Sequence, residues 1–234
     1  MLGLSKNWKR FWEKQTLPLH AKDSAKFYAA YCSELLLLLA EAEYDRVLEI
    51  GCGNGALFKH LGFDQVRKYC GVDVSSRMIA EFEKTFPRTD LKVHDGQSYR
   101  SKEEYDLVFS SGLVQYFHPR MLRQHLENAI GMLAPGGRIV CGAVPWRIAR
   151  YAFRSGHLTG SPHAGVIQLA KSFVNRLKED RMGRWYHHRE FRRIARRLGL
   201  VVTFHGSIHY PYRFHVVLQR PHAEAPSHGI SQAA

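Results

Sequence analysis

Cysteine is scarce in this chain: Cys32, Cys52, Cys70 and Cys141 are the only four among 234 residues, with no Cys-x-x-Cys pair and no histidine at ligand spacing. Neither a zinc site nor a disulfide framework is indicated, and the four read as small buried hydrophobes. Long apolar runs are missing too. The densest, Leu35 to Leu39, is bounded by Glu34 and Glu41 and falls far short of the ~20 residues that cross a bilayer, so it reads as part of a buried helix. The opening MLGLSKNWKRFWEK has no apolar core followed by a small-residue cleavage site, which argues against a secretory signal and for a cytoplasmic protein. No internal repeat is visible. What remains, 45% hydrophobic over 234 residues, suffices for one sizeable α/β domain with a modest insertion.

Acid is the scarcer charge, with 21 Asp and Glu against 34 Lys and Arg, a net +13. The excess is not spread evenly. Residues 1–40 carry +3, 41–144 carry −1, 145–197 carry +10 and 198–234 carry +1. The basic surface is therefore attached to one region, and the segment before it is close to neutral.

Short β-rich runs alternate with helical segments. After a helical region over about Asp23 to Ala42 come RVLEIG, a helix from Gly55, KYCGVDV, a helix over Ser76 to Phe86, LKVHDG and YDLVFSS. A helix near Pro119 to Leu133, GRIVCGAV, an inserted stretch, a helix near Arg189 to Leu198, LVVTFHG and FHVVLQR complete the series. This order predicts a largely parallel sheet covered on both faces, with the last two strands an antiparallel pair because no helix separates them. The end, PHAEAPSHGISQAA, has no periodic apolar face and is expected to be disordered.

The chemistry is concentrated at strand ends. In VLEIGCGNGALF, glycines 51, 53 and 55 follow an apolar run, so a ligand can lie against the main chain where a helix is expected to begin. Gly51, Gly53 and Ala56 also satisfy the dinucleotide-binding spacing, and glycines alone do not choose between ligands. Glu49 does, because a carboxylate just before the glycines repels a pyrophosphate and welcomes an amine. Asp73 in GVDVS can accept both hydroxyls of a ribose, and Asp95 in HDGQ can take an exocyclic amine of an adenine. Taken singly, Glu49 or Asp73 could merely cap a helix. Three acids at three consecutive strand ends fit an amine, a ribose and an adenine, and fit a polyphosphate badly.

The runs EIGCGNG, GVDVS, HDGQ, YDLVFS and LAPGGR, in that order over about residues 45–142, resemble the class I (Rossmann-like) S-adenosylmethionine-dependent methyltransferases. The resemblance implies an α/β fold with a seven-stranded sheet in the order 3-2-1-4-5-7-6, strand 7 antiparallel. It implies S-adenosylmethionine as cofactor, with Glu49 facing the methionyl amine and Gly51, Cys52, Gly53, Asn54 and Gly55 along the amino-acid part. Asp73 would bind the ribose, Val74 and Met78 would line the adenine, Asp95 and Gly96 would contact its edge, and Ser110 would sit beside the methionine moiety. On this reading residues 1–42 form an N-terminal helical cap, 43–220 the methyltransferase domain with a substrate cap inserted at about 145–187, and 221–234 a tail.

The acceptor is less well marked. Where many relatives carry a histidine after the fourth strand, this chain has Tyr116, and the Asn-Pro-Pro-Tyr type of run used on nucleobase amines is absent, which argues against a nucleic-acid substrate. Tyr116, His187 and His188 are the candidates for positioning or proton removal. The histidines precede the helix whose apolar face is Phe191, Ile194, Ala195 and Leu198, where a capping role competes with a catalytic one. Arg147, Arg150 and Arg154 fall on one helical stripe beside Trp146 and Phe153, and Trp8, Phe11 and Trp12 share a face flanked by Lys9 and Arg10. Such segments fit a packed lid, a peripheral membrane contact, or an anionic acceptor, small or linked to phosphate or lipid. The expected reaction is methyl transfer to an oxygen or nitrogen. The alternatives are a nicotinamide-dependent oxidoreductase and a non-catalytic RNA-binding module with a vestigial cofactor site.

Overall fold

The computed structural model of the chain describes residues 4–14, 22–155, 157–158 and 182–221. Of the expected disordered tail, 221–234, all but the first residue lies outside these, as does the middle of the expected substrate cap. Two helices open the chain, α1 (Leu4–Lys14) and α2 (Lys22–Leu39). Then follow β1 (Arg46–Ile50), β2 (Lys68–Asp73), α3 (Ser76–Thr85), β3 (Asp90–Val93), β4 (Tyr105–Ser111), α4 (Pro119–Gly131) and β5 (Leu133–Pro145). The short α5 (Arg150–Arg154), then α6 (His188–Arg197), β6 (Val201–Gly206) and β7 (Arg213–Gln219) end the described fold.

One sheet holds all the named strands in the order β3-β2-β1-β4-β5-β7-β6. Every pairing is parallel except the two made by β7, which runs antiparallel to β5 and to β6. This is the expected Rossmann-like architecture. Because β7 runs backwards, its first residue lies at the edge where the parallel strands end. Arg213 is paired with Pro145 there.

Both faces of the sheet are packed, as strand alternation requires. Leu48, Ile50, Val108, Ile139 and Cys141 point into one apolar cluster with α4 and α6. Val47, Leu107, Phe109 and Val140 point into the other, against Tyr31, Leu35 and Leu39 of α2 and Phe82 of α3. All four cysteines are buried and free, inside this packing. The leucine run departs from its expected burial. Leu35, Leu38 and Leu39 are buried, but Leu37 is 72% exposed, because a five-residue helical run passes round more than one face. None of the described helices is long and apolar enough to cross a membrane.

The expected helix from Gly55 is a chain of turns instead. Gly53 and Gly55 have φ of +55° and +80°, which a right-handed helix cannot use, and the bonds that follow mix spans, from Phe58 N–H to Gly55 O and from Phe63 N–H to Phe58 O. Gly55 is also fixed by space, since a Cβ there would lie 2.7 Å from the Phe82 ring.

A buried polar contact joins α2 to the far end of the sheet. Glu34 Oε1 lies 2.5 Å from His215 Nε2, and its Oε2 accepts the Ile208 and His209 N–H groups at 3.0 and 2.9 Å. His215 Nδ1 accepts the Ala143 N–H at 3.3 Å, so the imidazole is the neutral Nε2–H tautomer and burial keeps its pKa below the usual value. Glu34→Ala strands the buried His215 N–H and removes the acceptor of two solvent-exposed loop N–H groups. It should lower unfolding free energy by roughly 1.5–3 kcal/mol in urea titration, and a loss near zero would mean the loop is held by other contacts.

Candidate functional site

At the edge where the parallel strands end, a cavity of about 440 Å³ is lined by residues from β1, β2, β4, β5 and β7 and from the two N-terminal helices. Its β1–β2–β3 end presents acceptors. Glu49 is 2% exposed and its Oε2 takes a hydrogen bond from Tyr69 Oη at 2.6 Å. Burial, with some repulsion from Asp73, pushes the Glu49 pKa up to about 8, against the opposing pull of the Tyr69 hydrogen bond. Asp73 is raised as well, by burial first, although the N–H groups of Gly53 and Ser75, each 2.9 Å from its carboxylate, work the other way. Asn54 is buried, and its Oδ1 faces no hydrogen-bond partner. Asp95 is exposed, its Oδ1 accepting the Gln97 N–H at 2.9 Å.

The glycines bring the main chain close to this end. Gly51 and Gly53 both have positive φ, and the N–H groups of Gly51 and Cys52 bond to Val72 O, which ties the turn to the end of β2. Gly96 is required for a different reason: a Cβ there would meet Ile50 Cγ2 at 2.5 Å. Val74 and the buried Met78 complete the apolar lining of this end.

The other end is aromatic and basic. Trp8 and Trp12 of α1 pack on Tyr116 with ring centroids 4.5 and 5.8 Å away, so α1 lies over the cavity. Glu13, also on α1, accepts the Ser76 N–H at the start of α3. Tyr116 stands on a single 3-10 turn, Val114–Tyr116, braced from behind by Tyr186 Oη, which donates to the carbonyls of Val114 and Phe117. Arg184 N–H bonds to Gln115 O at 2.7 Å, and Gly183 permits that approach because a Cβ would lie 2.5 Å from the same carbonyl oxygen. Tyr31, Ser111, Ala143, Tyr210, Tyr212 and Arg213 close the wall.

Residues 47–137 match the family of methyltransferase domains. The nodulation protein S of Rhizobium tropici is 31% identical over 134 residues, covering 54% of this chain and 53% of that protein. The chain thus spans about half the length of the curated relatives it matches. Among solved structures, an S-adenosylmethionine-dependent methyltransferase from Clostridium acetobutylicum ATCC 824 has a TM-score of 0.63 at 12% identity, over 92% of this chain and 98% of that one. A DhpI–SAM–HEP complex has the same TM-score, 0.63, at 16% identity over 94% and 99%. The fold is that of the class I methyltransferases, and residues 47–137 carry the match to a methyltransferase domain.

Most of the residues singled out in the methyltransferase motifs meet at the cavity: Glu49, Gly51, Cys52, Gly53, Asn54, Asp73, Val74, Met78, Asp95, Gly96 and Tyr116 all line it. Four do not. Gly55 faces Phe82. Ser110 is buried against the Cys141 thiol, and its neighbour Ser111 lines the cavity, bonding to Tyr31 Oη at 2.6 Å. A one-residue step along a strand reverses the face, which accounts for the exchange. His187 caps α6, accepting the Arg189 N–H while its own N–H bonds to Glu190. His188 is stacked between Trp146 and Phe204, at 5.4 and 4.3 Å. The arginine stripe Arg147, Arg150 and Arg154 also lies outside the lining. Arg213, Gln115 and Tyr31 carry no motif signal, and sequence reasoning passes over them.

The raised Glu49 pKa has a measurable consequence without any ligand. The folded pKa of about 8 exceeds the unfolded value, so the folded state binds the extra proton between the two, and stability falls as pH rises from roughly 4.5 to 8. Above 8 the penalty is complete and the slope from this group vanishes. Glu49→Gln removes the penalty, so its melting temperature should gain on the wild type steadily across that window and not beyond it. A difference that ignores pH would show that Glu49 does not titrate there.

Proposed function

We propose that the protein is an S-adenosylmethionine-dependent methyltransferase acting on an oxygen or nitrogen of a small or anionic acceptor. The observation that carries this reading is the acidic end of the cavity: Glu49, Asp73 and Asp95 from three consecutive strand ends, with Asn54 in the turn beside them. Such a set calls for a ligand rich in donors and positively charged, and repels a pyrophosphate. S-adenosylmethionine supplies a sulfonium-bound methyl group, already activated for transfer. Glu49 and Asn54 would face its ammonium, Asp73 its ribose hydroxyls, Val74 and Met78 its adenine, and Asp95 with Gly96 the adenine edge. An ammonium beside Glu49 restores the ionised carboxylate that burial disfavours.

With the methyl group activated, the protein's task is alignment and exclusion of water. The lid of Trp8 and Trp12 over Tyr116 supports that task, and residues 1–42 read as a cap on this ground. Burial raises the Tyr116 pKa, so its phenol holds its proton and serves as a hydrogen-bonding, positioning group. No histidine or lysine is among the described residues of the lining. Arg147 is exposed and outside the cavity lining, so a phosphate- or lipid-linked portion of the acceptor would have to extend beyond the cavity to meet it.

The test is calorimetry with S-adenosylmethionine, NADH and RNA, followed by a screen for S-adenosylhomocysteine release across acceptor classes. S-adenosylmethionine should bind, and Asp73→Ala should weaken it at least tenfold while the fold is kept, since hydrogen bonds to a charged group are worth roughly 1.5–3 kcal/mol each. Tighter binding of NADH would make the protein an oxidoreductase. Salt-dependent RNA binding without turnover would make it a binding module.

A further inference from the structure

We propose that Arg213 is the receptor for an anionic group, carboxylate or phosphate, on the acceptor. The proposal rests on the methyltransferase reading and assigns the opposite end of the same cavity. Arg213 Nη1 donates to Gln115 Oε1 at 3.0 Å and to the Ala143 carbonyl. The guanidinium carbon lies 5.5 and 5.6 Å from the ring centroids of Tyr210 and Tyr212. Among the described residues, Nη2 has the Met182 thioether at 3.8 Å as its one hydrogen-bond contact, and Nε is buried with no partner. Among the described residues no carboxylate pairs with it.

A guanidinium held by neutral groups leaves its charge uncompensated in a partly desolvated wall. Its spent nitrogen, Nη1, is the one fixed by Gln115 and Ala143. The Nε–Nη2 side is the edge that matches a carboxylate or phosphate in a bidentate pair, and it holds nothing stronger than a thioether, a weak acceptor. An incoming anion that displaces the flexible Met182 side chain gains two charge-assisted hydrogen bonds in place of one soft contact.

The receptor is also held rigid at a cost in backbone strain. Ala143 has φ of +53°, rare for a residue with a Cβ, at the point where the β5–β7 register shifts. That bulge turns the Ala143 carbonyl to Arg213 and its N–H to His215 Nδ1. A plain strand would do neither. The same cavity is lined by Tyr31, Tyr116 and the lid tryptophans, which fit a planar, largely apolar body. The acceptor class is thus an aromatic or similarly flat molecule bearing one acidic group.

The experiment titrates the full chain with benzoate, phenyl phosphate and neutral benzamide by calorimetry, with and without saturating S-adenosylhomocysteine. The wild type should bind one or both anions at least tenfold more tightly than benzamide, and which of the two is preferred separates carboxylate from phosphate. Arg213→Gln should remove that preference and change benzamide binding less than twofold; Arg213→Lys should restore only part of it, because the charge returns without the fork. S-adenosylhomocysteine affinity should be the same in all three proteins. An anion preference that survives Arg213→Gln overturns the proposal. So does a wild type with no anion preference, a comparison that needs no variant to fold. If S-adenosylhomocysteine fails to bind while the Arg213-dependent preference holds, the cofactor reading falls and the anion receptor stands.

Discussion

The arrangement of this molecule follows from one unfavourable act, the burial of Glu49 at the end of the first strand. A carboxylate 2% exposed, with Asp73 near it and one phenolic hydrogen bond for support, is out of place in a fold that gains nothing from it. The glycine turn does not relieve it, since the Gly53 N–H is given to Asp73 and those of Gly51 and Cys52 to Val72. On the proposed reading, a donor-bearing, positively charged ligand is the group that would offset this burial and favour the ionised carboxylate.

The opposite end is arranged by the single antiparallel strand. Had β7 run with the others, its first residue would have emerged at the far edge of the sheet. Because it runs against them, Arg213 begins where β5 ends, and Pro145 is its register partner. The Ala143 bulge then couples three elements, orienting Arg213 through a carbonyl and His215 through an N–H, with His215 tied to Glu34 on α2. The helix beside the cavity and the strand that carries its cation are thereby one unit.

How much of this the sequence discloses depends on whether the cause is local. The acids at the ends of β1 and β2 and after β3 are local signals, each a carboxylate at the close of a short apolar run, and they meet as their order implies. The His187 cap is local too, but its sequence pattern is shared with catalytic use, so only the bond to Arg189 separates the two. Ser110 and Ser111 differ by one step of strand alternation, which the string YDLVFSS leaves undetermined. The turns after Gly55 depend on Phe82, 27 residues on, whose ring occupies the space a side chain would need. Arg213 depends on two distant partners, Gln115 and Ala143, and on a bulge in β5 that no motif announces, although the direction of its strand is expected. An arginine near a chain's end, in a stretch of ordinary composition, reads as surface until the sheet is closed around it.

The separation of the two ends determines how far they can influence each other. From β1 to β7 there are three strand spacings in the order β1-β4-β5-β7, about 14 Å at ~4.8 Å each. At that distance the attraction between unit charges is roughly 0.3–1 kcal/mol for effective dielectrics from 80 down to 20. Occupation of the acidic end therefore changes the affinity of the basic end by a small factor through charge alone. Larger coupling between them would have to pass through the packed elements that touch both, above all α1, which rests on α3 through Glu13 and on Tyr116 through Trp8. Electrostatics gives each end its ligand class, and the lid is the part of the structure able to make the two bind as one.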